Sequence, residues 1–139
     1  MSDPHDLNRF IEAQTFYYPT AYKELDHGRK RSHWMWFIFP QFKGLGYTQR
    51  SQLYAIKSQA EAKAYLDHPV LGERLRECCQ LLLNLKYRPI QEILGSPDDL
   101  KLKSSMTLFE QVSDETIFGE ILEKYFEGKR DKRTVELME

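Results

Sequence analysis

The sequence is poor in several features that mark whole function classes. It has two cysteines, Cys78 and Cys79, adjacent in the chain. Neighbours on a helix point about 100° apart, so a bond between them would need a strained backbone; both read as reduced thiols in or beside the core. Four histidines stand at positions 5, 27, 33 and 68, and neither they nor the cysteines have the spacing of a zinc site, so no metal is expected. No apolar run nears the roughly 18 residues of a membrane span and no signal-type stretch opens the chain. A cytoplasmic protein without a membrane partner is therefore expected. The patterns GxxxxGK[ST] and GxGxxG are both missing, so no P-loop or dinucleotide fold is indicated and no cofactor is expected.

Acid is missing locally. No Asp or Glu lies between Asp26 and Glu61, and that stretch holds Arg29, Lys30, Arg31, Lys43, Arg50 and Lys57. With a net charge of −1, six positive charges here leave the remainder strongly acidic. Segregated charge gives a positive local field on a near-neutral molecule, unless the bases pair with carboxylates elsewhere in the fold.

What is present describes one globular domain spanning residues 1–139. The 41% hydrophobic and 29% charged fractions are those of a folded protein, and a chain of this length buries enough surface to need no staple. Leu7, Phe10, Ile11 and Gln14 recur at helical spacing, which predicts a first helix from Asp6, its cap, to Tyr18, stopped by Pro19. A short second helix then runs to Gly28. From Ser32 to Phe42 apolar residues sit on consecutive positions, predicting a short buried helix or an extended piece. Ser58 with Glu61 is a capping box opening the next helix. Pro69 restarts the chain into a stripe from Val70 to Leu85, and Ile90 to Leu94 forms a brief helix closed by Gly95. Ser96 as cap, Pro97 in the first turn and two acids open a helix through Val112. Further helices follow from Ser113 or Asp114 to Gly128 and from Asp131 onward. The fold class is all-α: a compact single-domain bundle of about six to eight short helices with one irregular aromatic-rich segment.

Three constellations carry possible chemistry. In Gly28 to Trp36, Arg29, Lys30 and Arg31 can grip a phosphate or carboxylate, Trp34 and Trp36 offer stacking faces or fill the core, and His33 titrates near neutrality and can act as an acid or base. In Pro40 to Gly46, beginning with Gln41, two close glycines allow a backbone to approach a ligand or simply make a turn. In Ser96 to Glu110, Lys101, Ser104 and Ser105 share a helical face, suited to anion binding or interhelical hydrogen bonds, with an activated serine the remotest of the options. His68 before Pro69 suits a capping or turn role better than a ligand.

The segments DLNRFIEAQ, GRKRSHWMWFIFPQFKGLG, YLDHPVLGERLREC, ILGSPDDLKLKSSMTLFE and YFEGKRDKRT, in that order, resemble the Domain of Unknown Function 1810 family of small bacterial proteins. The resemblance implies a compact helical domain and supplies no catalytic residues. Family members are sometimes labelled calpastatin, a name at odds with this dense aromatic globule, because calpastatin repeats are disordered. The leading functional expectation is a pocket for a small anionic ligand, nucleotide-like or phosphorylated. Arg29, Lys30 or Arg31 would bind the anion, Trp34 or Trp36 would stack, His33 would handle protons, and Lys101 with Ser104 or Ser105 would complete the wall. The rival is a non-enzymatic module docking a protein or, less favoured, a nucleic acid.

Overall fold

The computed structural model describes residues 2–139 and shows an all-α architecture with no strand among them. Nine helices occur in these residues: α1 Asn8–His27, α2 Met35–Ile38, α3 Gln49–Leu53, α4 Gln59–Asp67, α5 Leu71–Asn84, α6 Ile90–Leu94, α7 Asp98–Gln111, α8 Ile117–Phe126 and α9 Lys132–Met138. The irregular aromatic-rich segment is present as the stretch from Gly28 to Thr48, interrupted only by the single turn α2. Its one strand-like feature is an isolated parallel bridge between Phe42 and Ile56.

The ends of the helices follow local chemistry, with three departures. Pro19 does not stop α1, which runs through it to Gly28 at φ 77°. A proline removes one helical hydrogen bond, here to the Thr15 carbonyl, but both residues are exposed, so that carbonyl is open to solvent. Asp6 does not cap α1; Asp3 does, its carboxylate accepting from the N–H groups of Leu7 and Asn8 at 2.8 and 3.0 Å. Ser96 does not cap α7, which begins at Asp98 after Pro97. Ser58 does accept from the Glu61 N–H, and Asp131 from that of Thr134. His68 takes a capping role, its Nδ1 accepting from Val70 and Leu71 at the start of α5.

The core is built around a run of rings crossing four helices. Phe10 of α1 meets Tyr65 of α4, which meets Phe109 of α7 and then Phe118 of α8, with centroids 5.1, 5.4 and 5.8 Å apart. All four are fully buried. α7 is the central element, packed by α4, α6, α8 and α9, and buried continuously from Ser104 to Phe109. The hydroxyls of Ser104 and Thr107 are hydrogen-bonded, whereas the buried Ser105 hydroxyl has no partner among the described residues. Cys78 and Cys79 are free and buried, and burial pushes the Cys78 thiol up to about 12.

Gly72 marks the tightest approach of α5 to α4. A Cβ there would lie 2.0 Å from the Leu66 carbonyl oxygen. Backbone cannot yield as a flexible side chain does, so Gly72→Ala is expected to lower stability by about 2 kcal/mol, measured by urea unfolding.

Candidate anion-binding cleft

The exit from α1 sets the site. Gly28 adopts the left-handed conformation and its N–H and that of Arg29 return to the carbonyls of Leu25 and Glu24, closing the helix. Its own carbonyl accepts from the Arg88 guanidinium at 2.8 Å. The following residues are then held by one carboxylate. Glu24 accepts from the Arg31 N–H at 2.8 Å, the Ser32 N–H at 3.0 Å, the Ser32 hydroxyl at 2.6 Å and the Trp34 indole N–H at 2.8 Å. Burial raises the pKa of this carboxyl, but the bonds from Ser32, Arg31 and Trp34 outweigh it and hold the group at about 2.

With the backbone so pinned, the three consecutive bases part company. Lys30 turns inward: its ammonium lies 2.9 Å from Asp98 of α7 and 5.2 Å from the centre of the Trp34 ring. Arg29 and Arg31 turn the other way, into a cleft of about 520 Å³ lined also by Lys23, His27, Arg88 and Glu24. Four of these residues are permanently cationic and one is acidic. Among the described residues none of Lys23, Arg29, Arg31 or Arg88 forms an ion pair. Glu24 is already saturated by the donors named above. The lining therefore carries a net positive charge, four cations against one carboxylate, with several exposed guanidinium donors.

Other expected site residues lie apart from it. Lys101 joins Lys30 at Asp98, its ammonium 3.5 Å from the second carboxylate oxygen and 5.2 Å from the centre of Trp36. Arg50 also sits over Trp36 at 5.2 Å. The basic segment does meet the Ser96 to Glu110 helix, but through a lysine–aspartate–lysine contact in which one carboxylate is shared by two ammonium groups. Trp34 is fully buried and has no face left for a ligand, whereas Trp36 is half-buried between its two cations. Ser104 is buried and donates to the Leu100 carbonyl and to Asp131, and Ser105 is wholly buried; both face neighbouring helices instead of building a wall with Lys101. His33 is exposed and Gln41 lines a separate cavity. No group of three or more metal-ligating side chains occurs among the described residues.

Sequence reasoning missed Lys23, His27 and Arg88. Lys23 and His27 stand four apart at the end of α1, and their spacing to Gly28 was a usable signal. Arg88 arrives from a loop sixty positions away, and nothing local announces it.

The family model described as "Protein of unknown function (DUF1810)" matches residues 4–138. The chain belongs to the DUF1810 family. A crystal structure of the conserved hypothetical protein Rv1873 from Mycobacterium tuberculosis superposes with a TM-score of 0.97 at 51% identity, covering 98% of each chain. No curated protein matches the chain. The DUF1810 fold is thus shared nearly end to end with a solved relative, and no described helix is long and apolar enough to cross a membrane.

Proposed function

We propose that this DUF1810 protein binds a small anionic ligand, nucleotide-like or phosphorylated, in the cleft of Lys23, His27, Arg29, Arg31 and Arg88, in a bacterial cytoplasm. The observation that carries the reading is four cations without carboxylate partners around one concavity whose acid, Glu24, is committed to four donors. Arginine suits this task because its planar donors match phosphate oxygens in pairs. His33 and the tryptophans lie outside the cleft lining, so the reading is one of binding and assigns no reaction.

A thermal-shift screen against nucleotides, sugar phosphates and simple oxyanions tests it. A ligand at 100 times its dissociation constant stabilises the folded state by about 2.7 kcal/mol. The Arg29→Ala/Arg31→Ala variant, altered only at exposed side chains, is expected to fold normally and lose that shift. No response from any anion class would remove the proposal. A second reading, docking of a polyanion, draws on a further basic surface at Lys103, Lys129, Lys132 and Arg133. It predicts affinity for single-stranded nucleic acid that falls steeply with salt, whereas a small ligand shows a shallow dependence.

A further inference from the structure

We infer a second ligand site, independent of the arginine cleft, in the cavity beneath the Gly44–Gly46 loop, suited to a small oxyanion such as a phosphate or carboxylate group. The inference begins with strand geometry. The Ile56 N–H donates to the Gln41 carbonyl and the Ile56 carbonyl accepts from the Lys43 N–H, both at 2.9 Å, which fixes a parallel register with Phe42 opposite Ile56. The bridge is a single pair followed at once by a turn at Lys43, and it brings residues 41 to 43 alongside 55 to 57. Phe42 and Ile56 take the core face and are buried. Gln41, Phe42, Lys43, Ala55 and Lys57 line one cavity of about 220 Å³.

Lys43 and Lys57 thus come to the same cavity. Like charges gathered at one cavity repel and cost stability. Among the described residues neither ammonium has a carboxylate partner; Glu61, the nearby acid, is buried and bound to Arg9. An anion between the two lysines relieves that repulsion. The rest of the cavity wall suits it. Gly44 holds φ 95°, a conformation side chains disfavour, and Gly46 presses on Ser51, where a Cβ would lie 2.5 Å from the serine Cβ. Neither glycine N–H donates a hydrogen bond to protein among the described residues, which leaves both free to donate. Ser51 and Gln52 add a hydroxyl and an amide across the cavity. The volume falls below the roughly 300–1,000 Å³ of drug-sized sites, so a small ligand fits and a whole nucleotide does not.

The test follows backbone amide resonances of the full chain while inorganic phosphate, and separately malonate, is added. Saturable shifts are expected at Gly44 and Gly46 with at least one of them. Lys43→Met and Lys57→Met each weaken that binding by about tenfold, the loss of one charge-assisted bond, while Arg31→Ala leaves it unchanged. Both lysines are exposed, so the variants are expected to melt like the parent. Lys57→Gln serves if Lys57→Met does not fold. The site is refuted if neither anion shifts Gly44 or Gly46, if shifts appear only around Arg29 and Arg31, or if the lysine variants bind as tightly as the parent. An arginine cleft that fails its own screen leaves this result untouched.

Discussion

Replacing Arg9 with alanine is expected to lower stability by about 4 kcal/mol. Arg9 is 8% exposed and spends all of its donors inside the protein. Its guanidinium reaches the carbonyls of His5, Asp6, Leu53 and Ala55 and the carboxylate of Glu61. Glu61 is 2% exposed and its other oxygen accepts from the Lys57 N–H. Removing Arg9 leaves a buried carboxylate without its cation and takes a donor from four carbonyls, of which that of Asp6 keeps the backbone N–H of residue 9. That residual charge carries most of the cost. The double variant Arg9→Leu/Glu61→Leu is accordingly expected to recover a large part of the loss, because no buried charge remains. Urea unfolding of Arg9→Leu, Glu61→Leu and the double variant closes the cycle. A double variant no more stable than Arg9→Ala would show that the arginine acts by tying α1 to the α3 loop, and not by neutralising Glu61.

Glu24→Ala is expected to cost about 3 kcal/mol and, against simple charge counting, to weaken anion binding in the cleft. Losing the carboxylate leaves the buried Trp34 indole without its acceptor and frees the backbone at Arg31 and Ser32. A pure charge argument says that deleting an acid beside four cations tightens anion binding. The geometry says otherwise, since Glu24 aims the segment that carries Arg29 and Arg31. Tighter binding by Glu24→Ala would therefore defeat the positioning role. Glu24→Gln keeps the shape and is expected to lose less of both.

The same group sets a pH dependence. The folded carboxyl titrates at about 2 against an ordinary 4.5, so its stabilisation is complete above pH 4.5 and disappears as the pH falls from there toward 2. The parent should show this acid loss in urea midpoints between those values, and Glu24→Gln should show less of it.

Much of the helical layout was legible before folding. Ser58, Asp131 and the acids opening α7 act through bonds and fields within one turn of chain, and the glycines after α1 and α8 close their helices in the same way. Pro19 misled because the cost of a proline depends on whether water can serve the orphaned carbonyl, and exposure is a tertiary property. The face of Lys101, Ser104 and Ser105 left anion binding and interhelical hydrogen bonds both open; Ser104 bonds Asp131 at the start of α9, because α7 sits at the centre and its hydroxyls are enclosed by neighbouring helices.

The candidate site divided in the same manner. The acid-free stretch from His27 to Ala60 was visible as charge, and its six bases are a property of the sequence alone. Which of them remain unpaired was decided by the fold. Glu24 pins the backbone so that Lys30 reaches Asp98 while Arg29, Arg31 and Arg88 line one cleft, and the Phe42–Ile56 bridge brings Lys43 and Lys57 to one cavity. Local sequence determined the helix class, the caps and the excess of positive charge, because those rest on interactions a few residues apart. Only tertiary structure decided which charges are cancelled and which face a cavity, because electrostatic pairing depends on distances across the fold that sequence spacing does not contain.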